Sequence, residues 1–178
     1  MKSFGGSLCL IVCLSGLWVR PAIALTVVSD YDDTIKISNT NHTVGSVGRV
    51  FSTELFYGAP EFFQMLESEH MQWWILSSAP KIMATAMKAT LSKHSMHPSA
   101  IVLRKFPGGP EVQEHKTTVL RDFLTRNPGE QIVCFGDDQQ KDPEAYLQIA
   151  REFPGRVLAI YIHRVQNRPV DARPGDAI

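Results

Sequence analysis

Five short apolar runs alternate with four stretches of helical patterning, and that rhythm leaves few folds open to the chain. The runs are Leu25 to Ser29, Trp73 to Leu76, Ala100 to Leu103, Gln131 to Phe135 and Val157 to His163. None shows clean polar–apolar alternation, which suits strands buried on both faces of a parallel sheet. Between them lie Pro60 to His70, Lys81 to Lys93, His115 to Thr125 and Pro143 to Phe153. In the second of these, Ile82, Ala86, Ala89 and Leu91 fall near one helical face. The alternation predicts a doubly wound α/β fold, a mostly parallel five-stranded sheet with helices on both faces. With 178 residues, 44% of them hydrophobic, the chain can build one such domain around a substantial core.

The first stretch stands apart from that rhythm. Met1 and Lys2 open a short positive region, Leu8 to Val19 is mostly apolar, and Pro21 precedes the small-residue pattern Ala22-Ile23-Ala24. The apolar part is short for a membrane span and Arg20 closes it. Residues 1–24 are therefore expected to be a secretory signal peptide, cleaved near Ala24, which makes the mature protein exported, periplasmic or secreted; an uncleaved anchor is the alternative. The whole chain is formally neutral, with 18 basic and 18 acidic residues, and losing Lys2 and Arg20 leaves a slight negative excess. Nothing in this balance suggests a polyanion-binding surface, so nucleic acid is not an expected partner. Cys9 and Cys13 leave with the signal, and Cys134 alone supports neither an internal disulfide nor a zinc site.

Two further stretches break the pattern: the polar, glycine-containing Lys36 to Gly58, and the Pro-, Asp- and Arg-rich tail Gln166 to Ile178, read as coil. In open α/β sheets ligands bind beyond the carboxyl ends of the strands, at the switch in strand order. Each polar cluster of this chain falls at such an end. Asp30-Tyr31-Asp32-Asp33-Thr34 follows the first strand, Ser77-Ser78-Ala79-Pro80 the second, and Gly136-Asp137-Asp138-Gln139-Gln140-Lys141-Asp142 the fourth. Lys116 sits at the start of the helix leading into the fourth strand. Acids from separate strand ends, meeting one lysine and one hydroxyl, suit a site for Mg²⁺ and a phosphate, because Mg²⁺ takes a few carboxylates and accepts substrate oxygens.

Plainer readings stand beside these. A calcium loop would need Gly where Ile35 stands. Ser77 could cap the helix after Pro80, and Lys116 could be an ordinary surface lysine. Asp142 before Pro143 has the form of an N-cap, a role compatible with orienting Lys116. Asp33 and Asp138 are expected to be solvated neighbours, and His42, His94, His97 and His115 surface residues without ligand spacing.

Taken together, these residues resemble the haloacid-dehalogenase (HAD) superfamily of phosphohydrolases. Its first motif, Asp-x-Asp-x-Thr, is matched by Asp30, Asp32 and Thr34; its second by Ser77; its third by Lys116; its fourth by Gly136-Asp137 with the later Asp142. The wording of SDYDDTIKIS, ILSSAP, GDDQQKDPEAY and FPGRVLAIYIHRV further resembles the phosphatidate phosphatase catalytic domain of the yeast actin-patch protein and its bacterial relatives. Departures lie at Tyr31, Ser78-Ala79 and Asp138-Gln139, where that family usually has Ile, Asn-Ser and Ser-Gly.

The resemblance implies a Rossmann-like, HAD-type domain over 25–165 with a flap at 36–58 and no large cap. It also implies a Mg²⁺-dependent phosphomonoester hydrolase. Asp30 would attack phosphorus and form an aspartyl-phosphate, and Asp32 would protonate the leaving alkoxide and later activate water. Ser77 and Lys116 would hold the transferring oxygens, with Thr34, Ser78 and Asp142 in support. The Mg²⁺ ligands would be Asp30, Asp137 and the Asp32 carbonyl. Asp32 favours phosphoester over halide chemistry, since a halide needs no acid. The intervals after the first and third strands are too short for a cap domain, which points to an open site and a bulky substrate, with membrane phosphatidate-like phospholipids foremost. In the flap, Val44, Val47, Val50, Phe51, Leu55, Phe56 and Tyr57 either face a lipid chain or pack onto the sheet. A non-catalytic Mg²⁺ or phosphoryl-ligand binding module, or a phosphatase of small soluble phosphoesters, is the alternative.

Overall fold

The structure, a computed structural model, describes residues 24–38, 53–105, 109–166 and 169–170. The leader before Ala24, the flap interior with His42, Val44, Val47, Val50 and Phe51, and most of the tail after Gln166 lie outside them.

All five apolar runs are strands. β1 (Ala24–Ser29) is central; β2 (Gln72–Pro80) and β3 (Ala100–Arg104) extend the sheet on one side, β4 (Glu130–Asp137) and β5 (Val157–His163) on the other. Every neighbouring pair is parallel. The missing alternation has a direct cause. Val27, Trp73 and Ile75 pack with Phe63 and Leu66 of α1 (Ala59–Ser68) and Met87 and Leu91 of α2 (Ala84–Lys93). Their neighbours Val28, Trp74 and Leu76 pack on the opposite face with Leu120 and Leu124 of α3 (Val112–Arg126) and Tyr146 and Ile149 of α4 (Asp142–Glu152). Successive strand residues point to opposite faces, and here both faces are core.

The boundaries differ from the sequence expectation where polarity and pairing part company. β2 runs on past a register shift at Ser78 and Ala79 to Pro80, which pairs with Arg104, and β4 runs through Gly136 to Asp137, which pairs with His163, so pairing outlasts the apolar residues. The helix expected from Lys81 begins instead with a 3₁₀ turn, Lys81–Met83. Tighter winding there turns Ile82 outward, 86% exposed, and the buried face of α2 is Met87, Thr90 and Leu91.

The described ends of the flap are clamped together. Ile37 N–H donates to Glu54 O (3.0 Å), Phe56 N–H donates to Ile35 O (2.9 Å), and Lys36 pairs antiparallel with Leu55. Leu55 packs on the α1–α2 face and Phe56 meets the His163 ring edge-on at 4.5 Å, whereas Tyr57 is fully exposed. Gly58, with φ of 82°, takes the left-handed conformation that turns the chain into α1, where Pro60 lies in the first turn.

Candidate active site

β1 lies between β2 and β4, so the strand order reverses beside it and a crevice opens past the carboxyl ends of β1 and β4. Asp30 is the first residue beyond β1, 2% exposed, its N–H bonded to Phe135 O of β4 at 2.8 Å. The chain then folds into a tight turn. The N–H groups of Ile35 and Lys36 both donate to Tyr31 O, at 3.0 and 2.9 Å. Asp33 is the hub of that turn, at φ 56°, with its N–H on Lys36 O (2.7 Å), its Oδ1 accepting from Ser38 N–H (3.0 Å) and its carbonyl accepting from His163 Nδ1 (2.8 Å).

Asp33 is thus not solvated but buried, and so is Asp138. Asp138 Oδ1 accepts from the N–H groups of Val165 (2.7 Å) and Gln166 (2.8 Å), and Oδ2 from Arg164 Nε (3.2 Å), which ties the chain after β5 to the end of β4. Residue type alone gives no hint of either role, since the partners of Asp138 lie in the chain after β5 and Asp33 joins its own turn to His163 of that same strand.

Lys116 is no surface residue. It lies in the second turn of α3, fully buried, and its Nζ bridges Asp30 Oδ1 (2.8 Å) and Asp142 Oδ1. Asp142, the first residue of α4, makes no N-cap bond; its Oδ2 accepts instead from Asp137 N–H at 3.4 Å, and Pro143 occupies the first turn. The expected N-cap loses to a buried ammonium, a stronger partner for a carboxylate than one more backbone amide. Asp137 Oδ1 accepts from Gln139 N–H (2.6 Å) and Gln140 N–H (3.3 Å). Gly136 is required for this approach: a Cβ there would lie 2.5 Å from Asp142 Oδ2 and 2.8 Å from a Tyr146 ring carbon.

Three buried carboxylates, Asp30, Asp137 and Asp142, can each offer an oxygen within 4.8 Å of the others, with the buried ammonium of Lys116 set against two of them. Burial, with repulsion from Asp142 and Asp137, drives Asp30 well above the usual carboxylate range in spite of Lys116. Burial and Asp142 likewise push Asp137 up to about 6. For Lys116, burial works against the charged form, but Asp142 and Asp30 outweigh it and hold the ammonium protonated. With all three acids ionised, the cluster would be short of positive charge by two units. Asp30 Oδ2 and Asp137 Oδ2 are both buried without a hydrogen-bond partner. Two hard, orphaned oxygens from different strand ends, in a pocket that would lack two positive charges when ionised, fit a divalent cation such as Mg²⁺.

The remaining candidates differ in burial and in partners. Ser77 is 1% exposed in the carboxyl-terminal half of β2, and its Oγ accepts from Ala79 N–H (3.1 Å) rather than capping the turn after Pro80. The hydroxyls of Ser78 and Thr34 are buried without partners. Asp32 is half-buried, its carboxylate outside the three-acid cluster; Ser38 Oγ donates to Asp32 Oδ1, and Lys36 Nζ lies 3.8 Å from the same oxygen. His115, expected at the surface, is buried beside Lys116 with Nε2 unpartnered. A cavity of about 890 Å³ is lined both by polar residues, Asp32, Lys36, Ser78 and Arg104 among them, and by apolar ones, including Met83, Ala86 and Met87. Sequence reasoning passed over Lys36 and Ser38; the i, i+4 spacing of Asp32 and Lys36 was the available signal.

The family described as phosphatidate phosphatase APP1, catalytic domain, matches residues 25–164. The phosphatidate phosphatase APP1 of Saccharomyces cerevisiae is 26% identical over 161 residues, covering 84% of this chain and 27% of that protein. An uncharacterized protein of Schizosaccharomyces pombe is 25% identical over 156 residues, covering 80% of this chain and 26% of its own length. The chain therefore spans about a quarter of each of these relatives. Among solved structures, the Pnkp1/Rnl/Hen1 RNA repair complex contains a chain that aligns at TM-score 0.59 with 12% identity, covering 80% of this chain and 43% of that one. An uncharacterized protein from Listeria monocytogenes serotype 4b aligns at TM-score 0.50 with 16% identity, covering 84% and 88%. Both likenesses concern the fold. The matched span takes in every strand apart from Ala24 and all the site residues from Asp30 to Asp142, and the chain belongs to the family of APP1-type phosphatidate phosphatase catalytic domains, a family of phosphoric monoester hydrolases.

Proposed function

We propose that this protein is a Mg²⁺-dependent phosphomonoesterase that works through an aspartyl-phosphate on Asp30 and prefers lipid-linked, phosphatidate-like substrates. The observation that carries the reading is the buried Asp30–Lys116–Asp142 bridge beside Asp137, with one oxygen of Asp30 and one of Asp137 left unpaired. Asp30, Asp137 and the carbonyl of Asp32 would hold the metal. When bound, Mg²⁺ supplies the positive charge that keeps these acids ionised and lets a phosphate dianion approach them.

The chain's own residues do the rest. Lys116 fixes the Asp30 carboxylate through Oδ1 and, with Ser77, offers positive charge and a hydroxyl to the transferring oxygens. Asp142 holds Lys116 in place from the other side. Asp30 attacks phosphorus, Asp32 gives a proton to the departing alkoxide, and Asp32 then takes one from the water that cleaves the acyl phosphate. Thr34 and Ser78, with buried hydroxyls, support the loops around the phosphate. The preference for a bulky, apolar leaving group rests on the cavity of about 890 Å³ that Asp32 shares with Met83, Ala86 and Met87. In the same reading the leader directs export and is removed near Ala24, so an exported fraction should yield an N-terminus at Leu25.

Turnover of an aryl phosphate by purified mature protein should stop on chelation and return with Mg²⁺. A folded Asp30→Asn variant should lose several orders of magnitude in rate. Phosphatidate in mixed micelles should be a better substrate than sugar phosphates or nucleotides. Full activity after exhaustive chelation, or a folded Asp30→Asn variant keeping more than about a tenth of it, would overturn the mechanism. A kinetic preference for a small soluble ester over every lipid would overturn the substrate class alone.

A further inference from the structure

We infer that Ser38 and Lys36 are positioning residues that aim the carboxyl of Asp32 at the leaving group. The inference rests on the acid role proposed for Asp32. That residue is only half-buried and has no strand or helix to fix it, yet an acid must meet a departing oxygen within hydrogen-bond reach to be effective. Two groups converge on one of its oxygens. Ser38 Oγ donates to Oδ1, and Lys36 Nζ stands 3.8 Å from the same atom, 6.0 Å from the Tyr31 ring centroid. Both described contacts engage Oδ1, so the proton passed to the substrate is assigned to Oδ2.

Both partners are themselves held. Lys36 and Ser38 are each 4% exposed. The Lys36 backbone is bridged to Asp32 on one side and to Leu55 on the other, and its carbonyl accepts from Asp33 N–H. Ser38 N–H is bonded to Asp33 Oδ1, and Asp33 is in turn held by His163. Asp32, Lys36 and Ser38 all line the same cavity, so the brace stands where the leaving group must sit. In the step served, a lone pair of an Asp30 oxygen forms the bond to phosphorus, the phosphorus–alkoxide bond breaks with its electron pair going to the alkoxide oxygen, and that oxygen takes the Asp32 proton.

A brace that merely stitches the turn would affect all substrates alike. In kcat/KM, which covers only the steps up to loss of the alcohol and not the later hydrolysis common to all esters, a brace that aims the acid matters only where the alcohol needs a proton. The test compares kcat/KM for octyl phosphate, whose alkoxide requires protonation, with para-nitrophenyl phosphate, whose leaving group does not. Asp32→Asn serves as the reference, and thermal melts establish folding. Ser38→Ala and Lys36→Met should each lose about tenfold or more in kcat/KM on the octyl ester while keeping most of kcat/KM on the aryl ester, in the same sense as Asp32→Asn, whose kcat falls on both esters because water activation is shared. Ser38→Thr and Lys36→Arg should restore octyl phosphate turnover. Equal losses on both esters in Ser38→Ala and Lys36→Met, with Asp32→Asn still selective, would overturn the positioning role and leave the acid assignment standing. An Asp32→Asn variant without selectivity would overturn the acid assignment and this inference together. If Ser38→Ala does not fold, Lys36→Met decides the question by the same comparison.

Discussion

Lys116 is the residue on which the interior charge balance turns. It is the buried cation set against Asp30 and Asp142, and Asp137 lies within reach of both acids. Removing one partner of a buried ion pair leaves the other charge stranded, which typically costs about 3–5 kcal/mol. Lys116→Met should therefore lose stability on that scale in denaturant melts near neutral pH, as well as activity. His115, next in line, carries a different signature. Burial, together with Lys116, Arg104 and Lys81, holds its pKa below the ordinary 6.5. The folded state thus prefers neutral imidazole, while the unfolded chain takes up a proton near the ordinary value. That contribution is intact above about pH 6.5 and is lost as pH falls towards the depressed folded pKa. His115→Gln should flatten the decline in stability between about pH 7 and about pH 5. An unchanged pH profile would show that the imidazole is solvated after all.

At the scale of elements, the tightest fit is where β4 hands over to α4. Gly136 leaves room for Asp142 and Tyr146 that no Cβ could share, at 2.5 and 2.8 Å. Gly136→Ala should cost about 1–3 kcal/mol of stability and, by moving Asp142 off Lys116, a larger share of activity; a variant with wild-type melting and kinetics would contradict this. Strand identity was legible because Val27-Val28 and Trp73-Trp74 are apolar in succession, which a sheet with one wet face would not tolerate. The ends were not, because Ser77, Pro80 and Asp137 pair as strand while looking like loop. The motif acids, Ser77 and Lys116 were singled out by residue type and order. The burial of Asp33, Asp138 and His115 was not, since each depends on a segment far away in sequence. Lys36 and Ser38 escaped notice because a lysine and a serine after an acidic cluster look like ordinary loop residues.

For the whole molecule, the site lies at the seam where the sheet changes winding direction, with one core layer on either side. Metal at that seam should stabilise the entire domain. A ligand bound only by the folded state at a hundred times its dissociation constant adds about 2.7 kcal/mol. Mg²⁺ should accordingly raise the melting temperature of chelator-treated protein, and Asp137→Asn should remove most of the rise. A melting temperature indifferent to Mg²⁺ would argue that the three acids hold no ion.

The clamp formed by Lys36 and Leu55, with its hydrogen bonds between Ile37 and Glu54 and between Ile35 and Phe56, has a consequence for engineering. It works as a socket. The chain leaves the catalytic turn and rejoins it through one short antiparallel stub, and the residues that brace Asp32 belong to the stub itself. The expected outcome is that the segment between Ser38 and Thr53 can be exchanged without retuning the chemistry beneath it. Loops of other length and polarity grafted at that point should alter which esters are accepted while leaving the phosphoryl-transfer machinery in register.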